Sequence, residues 1–387
     1  MNARILAIAV LAGCTGASDD APELFPVVGC SGSHSDPELE YAYVVNRGDD
    51  TVTVVNPRSC TVATTVDVGH EPIMANASAS GAFVFVGNHG DGSLTLIETD
   101  RHAVVKTVDL GFAPEEMKFD AAHVHLWVAN RTTGQVALFD TISQTITAEL
   151  QLEPGLGELS MSSGEPDWMV ANNPDGGFLQ VIDPASVTEV ARVDTEGPPL
   201  AVDYASASHN SYVCVGGSDP ALLVVPTEGA GAHVVRSRIP LDAPCTTVRF
   251  DHGRYGVAAV PDRNEVLILD SATDTIVATV PVGNRPDAVT LNGDVAAIGN
   301  LGSGDVSVVS LETFEEVARP TIGSPSDNVL SRELRDAMDV NFVYAVSPDD
   351  DTVSILDLRT GEVRGTVEVG PDPGPIIVAG KAGGSCC

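Results

Sequence analysis

His70, Glu71, His89 and Asp91 are the closest gathering of chemically capable side chains in this 387-residue chain. Imidazole and carboxylate together ligate Zn²⁺ or Cu²⁺, so His70, His89 and Asp91 form a candidate set for a divalent cation. A wider set of acids recurs in short polar turns: Asp49, Asp50, Glu71, Asp91, Glu115, Glu116, Asp349, Asp350 and Asp351. Gathered at one mouth, they would attract cations or a basic partner. Glu115, Glu116, Glu158, Asp287 and Asp327 stand near the starts of apolar runs, where carboxylates can line a channel. The other histidines, among them His102, His123, His209, His233 and His252, fall elsewhere, and no ring of imidazoles forms.

Motifs for familiar catalysis are missing. There is no Gly-x-Ser-x-Gly elbow, His-Glu-x-x-His, phosphate-binding loop or dinucleotide fingerprint, and no catalytic residue is assigned. No Cys-x-x-Cys occurs, which counts against a zinc ribbon or a thioredoxin-like site. The cysteines in candidate disulfides are Cys214 with Cys245, and Cys30 with Cys60. The formal charge of −34, from 54 acids and 20 bases, repels a phosphate backbone, so nucleic acid is not an expected partner.

The elements that position these residues are written as repeats. Apolar runs end at Asn56 (TVTVVN), Glu98 (SLTLIE), Asp140 (QVALFD), Asp183 (LQVID), Pro226 (LLVVP), Asp270 (VLILD), Ser310 (VSVVS) and Asp357 (VSILD). The successive differences are 42, 42, 43, 43, 44, 40 and 47, the length of a four-stranded propeller blade. The preceding run ends in Asn at 46, 88, 130 and 172. Val dominates the runs, and 37 Gly and 25 Pro supply turns.

The lines "YVVNRGDDTVTVVNPRSCTVATTVDVGHEP", "VPDRNEVLILDSATDTIVATVPVGNRP" and "VYAVSPDDDTVSILDLRTGEVRGTVEVG" resemble the YVTN family of β-propellers. The fifth repeat departs from the pattern, with Gly216 and Gly217 at the Asn position and a loosened "TEGAGAH" turn, and the seventh lacks the closing "VG". The family is commonly seven-bladed, whereas this chain counts eight.

Each unit reads as strands A to D from the axis outward: A after the "VGxxP" corner, then B ("YVVN"), C ("TVTVV") and D ("TVATTVDVG"). The first set lacks an A strand, and "GPIIVAG", residues 374–380, is an A strand with nothing after it. The expectation is an all-β propeller of eight four-stranded blades, closed by the C-terminal strand completing the first, which leaves no free sheet edge at the seam. Strand reversal then puts B–C turns and D–A corners on one face. Residues 327–341 lengthen one A–B connection, with Leu330, Leu334 and Met338 at helical spacing.

Before the repeats, "MNARILAIAVLAGC" has a basic start and an apolar run too short to span a bilayer. Its end, Leu11-Ala12-Gly13-Cys14, resembles the bacterial lipobox, which implies acylation of Cys14. The expected division is a lipoprotein-type signal peptide over 1–13, lipidated Cys14 and tether over 14–40, propeller over 41–381, and a tail over 382–387. The expected address is extracytoplasmic and membrane-anchored through lipid alone, at the outer membrane if the cell is Gram-negative.

The functional expectation is a monomeric, non-catalytic binding or scaffolding propeller whose acidic rim engages an envelope protein or a small ligand. The alternative is an extracytoplasmic, lactonase-like hydrolase or a metal-dependent enzyme at the channel mouth.

Overall fold

The computed structural model describes residues 40–163, 166–229, 231–251, 253–323, 342–358 and 360–380. Cys14, Cys30, Asp327 and the 327–341 segment lie outside the described residues. Thirty-one strands form eight antiparallel sheets, seven of four strands and one described with three. The chain is an eight-bladed β-propeller, and the blades follow the repeats in order.

Closure is as the sequence predicts. The C-terminal strand Pro373–Gly380 pairs antiparallel with Glu40–Asn46 of blade one, with Tyr43 opposite Ile377 and Val44 opposite Ile376. The core lies between blades. Phe85, Leu94 and Leu96 of blade two, for example, pack against Met117, Leu126 and Phe139 of blade three. Strands B and C bury both faces, as Glu40–Asn46 and Thr51–Asn56 show, so they read as continuous Val-rich runs. Outer strands such as Thr61–Asp67 stay largely exposed.

The Asn that ends the B run holds the blade's inner turn. Asn46 Nδ2 donates to Thr51 Oγ1 and Thr53 Oγ1 at 2.8 Å each. Asn88 does the same to Ser93 and Thr95 at 2.9 Å, and Asn300 to Asp305 and Ser307 at 2.7 and 2.8 Å. The Gly of the "VG" corner packs on this amide: a Cβ at Gly69 would stand 2.5 Å from the Asn88 side chain. The two motif residues are therefore one contact. Cys214 and Cys245 are joined by a disulfide between blades five and six. Cys60 is also disulfide-bonded.

Candidate functional site: an acidic mouth over a charged channel

B–C turns and D–A corners do share one face. Gly90 N donates to His70 O at 2.9 Å, and Gly48 N donates to Pro371 O at 3.0 Å. The turns need acceptors, and the rim acids supply several. Asp50 Oδ1 accepts from Glu71 N and Asp351 Oδ1 from Asp372 N, both at 2.9 Å. Glu71 and Asp372 each have φ near +49°, so their corners turn through the left-handed region. Asp91 accepts from His70 N at 3.0 Å and from Ser93 Oγ at 2.6 Å, while Asp49 accepts from Thr51 Oγ1 at 2.6 Å. These acids are fixed in place by turn chemistry. Glu71, Asp49, Asp91, Asp349, Asp350 and Asp351 remain exposed.

The two histidines enter this rim as partners of carboxylates. His70 Nδ1 lies 3.0 Å from Asp50 Oδ2, and that hydrogen bond raises the imidazole pKa, with the Asp50 charge acting the same way. The same contact, joined by the Glu71 N–H, holds Asp50 below the usual carboxylate range. His89 sits between Glu71 and Glu115, 3.4 Å from each, one through Nδ1 and the other through Nε2. Among the described residues, no three His, Cys, Asp or Glu side chains converge as a metal-ligating group. The trio His70, His89 and Asp91 is thus not assembled as a ligand set, because each imidazole turns to carboxylates on other loops and Asp91 turns to a corner N–H.

Glu116, a candidate for both the rim and the channel from the sequence, lies on the channel side. It starts the inner strand of blade three, Glu116–Phe119, and faces the channel, where Arg131 Nη2 lies 3.4 Å from its Oε2. Glu158, before the blade-four inner strand Leu159–Met161, joins it there. Arg249, on the blade-six inner strand Thr247–Phe250, reaches Glu158 Oε1 with Nη2 at 3.0 Å. Asp203, on the blade-five strand Pro199–Ala205, accepts from Phe250 N at 2.8 Å. Asp287 of blade seven accepts from Thr246 Oγ1 at 2.8 Å.

Protein surrounds these groups on all sides, while water in the channel still touches about a fifth to two-fifths of the Glu116, Glu158 and Arg249 side chains. Burial pushes Glu116 up to about 7, with Arg131 pulling it down and Glu158 pushing it further up. Burial also pushes Glu158 up, but Arg249, by charge and hydrogen bond, outweighs it and holds that carboxyl below its ordinary value. Asp203 is raised by burial despite Arg249 and Lys118.

Sequence reasoning includes Glu116, Glu158 and Asp287 among channel candidates but misses Lys118, Arg131, Asp203 and Arg249. A signal was there. "MKF", "AVDYA" and "VRF" each place one charge inside an otherwise apolar or aromatic inner strand, and a charge in such a setting has to face water or a partner.

No family model and no curated protein sequence matches the chain. Solved structures share its fold. It is similar to AztD from Citrobacter koseri, at 14% identity and TM-score 0.69, with 90% of this chain and 100% of that one covered. It is also similar to dihydro-heme d1 dehydrogenase NirN, solved in complex with DHE, at 19% identity and TM-score 0.65. That match covers 76% of this chain and 65% of NirN. A third is Kuenenia stuttgartiensis hydrazine synthase, at 20% identity and TM-score 0.56, with 73% and 98% covered. At such identities the likeness establishes the propeller and nothing of its ligand.

Proposed function

We propose that this chain is an extracytoplasmic binding propeller of YVTN type, anchored by lipid at Cys14, whose acidic mouth captures a cationic ligand or a basic segment of an envelope partner. One observation carries the reading. Exposed acids of separate blades, Asp49, Glu71, Asp91, Asp349 and Asp350 among them, stand on turns held by their own hydrogen bonds around one opening. Preorganised acids on a rigid scaffold lose little freedom on binding, and loops on such a scaffold are where ligand sites gather. The cations of this face are few, and Arg47 is already spent on Asp372 at 2.6 Å. The test is the affinity of a fluorescent basic peptide as salt rises, since screening acts on exposed charges over about 8 Å at physiological ionic strength. Affinity should fall steeply; salt-insensitive binding counts against the reading.

A second reading has a specific observation of its own. Glu116 and Glu158 share the channel with protonation preferences pushed apart, the pattern of an acid and a base in general acid–base work. Lactone or ester hydrolysis that vanishes in both Glu116→Gln and Glu158→Gln would favour it over binding alone.

A further inference from the structure

The fifth repeat departs from the pattern of the others, and the departure opens a groove in the outer wall of the ring. In six blades the outer strand runs seven residues, as in Thr61–Asp67 and Thr188–Asp194. In blade five it is the four-residue Ser237–Pro240. The C–D connection, which joins Asn56 to Thr61 in blade one, here runs from Pro226 to Ser237. Between this shortened edge and blade four lies a cavity of about 600 Å³, a size that ligand pockets occupy.

Two stretches of chain form its walls, Arg192–Glu196 of blade four and His233–Arg238 of blade five, with Leu223 between them. Two chain segments side by side make a groove, which suits an extended segment better than a compact molecule. Leu223, Val193 and Val235 belong to the apolar core between the two blades, and Val234 in the same wall is 61% exposed. The blade-five wall is held in shape. His233 N donates to Pro226 O at 2.8 Å and Arg236 N to Val224 O at 2.9 Å. The His233 ring meets Trp168 edge-on at 4.9 Å, and Trp168 Nε1 donates to Thr227 O at 3.1 Å. Between those anchors, Val234 N and Val235 N donate to no backbone carbonyl among the described residues.

The charge of the groove is also one-sided. Its arginines are engaged, Arg192 with Glu189 at 2.8 Å, Arg238 with Asp219 at 3.0 Å, and Arg236 with Asp274. Asp194 and Glu196 are exposed in the blade-four wall and hold no cation among the described residues. We infer that this groove docks an extended basic segment of a partner protein by strand addition. Its main chain lies along the free edge groups, an apolar side chain covers Leu223 and Val235, and flanking cations meet Asp194 and Glu196. Main-chain pairing supplies affinity in such docking, and the side-chain pocket supplies choice. The groove lies on the outer wall, apart from the mouth, so this docking neither requires nor excludes capture at the rim.

The test uses the full chain and a labelled heptapeptide with a central photo-leucine flanked by lysines. Crosslinks should map by mass spectrometry to 192–196 and 233–238, and should persist when Asp49, Asp50, Asp91, Asp349, Asp350 and Asp351 are changed to Asn. Replacing the central residue by glycine, or N-methylating alternate residues in either register, should weaken binding about tenfold or more. The double variant Asp194→Asn, Glu196→Gln should weaken the lysine peptide by about the same factor, and Asn keeps the acceptor that Asp194 Oδ1 offers Glu196 N at 2.9 Å. Crosslinks confined to other surfaces overturn the inference, as does equal binding of the N-methylated peptides. Crosslinks only at the mouth would overturn it while leaving the rim reading intact; crosslinks only in the groove would do the reverse.

Discussion

Arg249 of blade six meets Glu158 of blade four at 3.0 Å, Nη2 to Oε1, spanning the inner strand of blade five between them. The pair joins blades four and six across blade five, whose Val202 N–H donates to Glu158 Oε2 at 3.4 Å, and Arg249 Nη1 adds a hydrogen bond to Val248 O at 2.8 Å. Arg249→Met should remove Glu158's counter-charge and cost about 2 kcal/mol. That is less than a fully buried pair because channel water reaches both groups. Glu158→Gln in the same background should recover part of the loss. Urea unfolding of the single and double variants measures both steps.

Glu116 predicts a pH dependence. Its pKa rises from 4.5 to about 7 on folding, so the folded chain holds a proton that the unfolded chain releases between those values. The stabilisation is present in full below about 4.5 and is lost as pH rises through about 7. Glu116→Gln keeps a neutral side chain at every pH, so its stability relative to wild type should rise across that window, by at most about 3 kcal/mol. Carboxylates with lowered pKa, such as Asp140, Asp183 and Asp270, lose stabilisation as pH falls, but they do so equally in both proteins and cancel. A difference that stays flat from pH 4 to 8 would contradict the placement of Glu116.

The Asn–Gly contact of the repeat should be sensitive from either side. Asn88→Ala deletes three side-chain hydrogen bonds, two donated to Ser93 and Thr95 and one accepted from Gly69 N, and leaves buried Ser93 and Thr95 without their donor, at about 2 to 3 kcal/mol. Gly69→Ala should cost a similar amount, because its Cβ would meet the Asn88 amide at 2.5 Å. Thermal denaturation of the two variants and their combination should show sub-additive losses, since the double variant removes the clash with the Asn88 amide and leaves only Asp91 Oδ2, 2.7 Å from the added Cβ.

Deleting residues 373–387 should open the first blade. The strand Pro373–Gly380 supplies its inner edge and packs Ile376 and Ile377 into the cores on both sides. Lower melting and concentration-dependent association by light scattering are expected. Mass spectrometry of the mature N-terminus checks the anchor, expected as an acylated Cys14; an unmodified terminus elsewhere would remove it.

Much of the fold was legible because strands B and C carry their message locally. An apolar run, a polar turn, a second apolar run and an Asn every 42 residues over the first four repeats need no long-range knowledge. Ring closure followed from counting strands. The rim was legible as turns rich in Asp, but not which acids the turns consume, since Asp50 accepts from a corner 21 residues later. The channel was the least legible part. Its inner strands are as short as three or four residues, too short for periodicity to reveal a face, and its Arg249–Glu158 ion pair joins residues 91 apart in sequence.

The acidic mouth as binding surface is tested most directly by two variants of equal net charge. In one, Asp49, Asp50, Asp91, Asp349, Asp350 and Asp351 become Asn, which keeps turn chemistry. In the other, six acids at the C–D end of the blades, Asp100, Asp140, Glu228, Glu312, Glu315 and Glu362, become Asn or Gln. Affinity for the fluorescent basic peptide is measured for both at physiological salt. Binding should be lost in the rim variant and kept in the C–D variant; equal losses in the two would show that bulk charge, not the mouth, attracts the peptide.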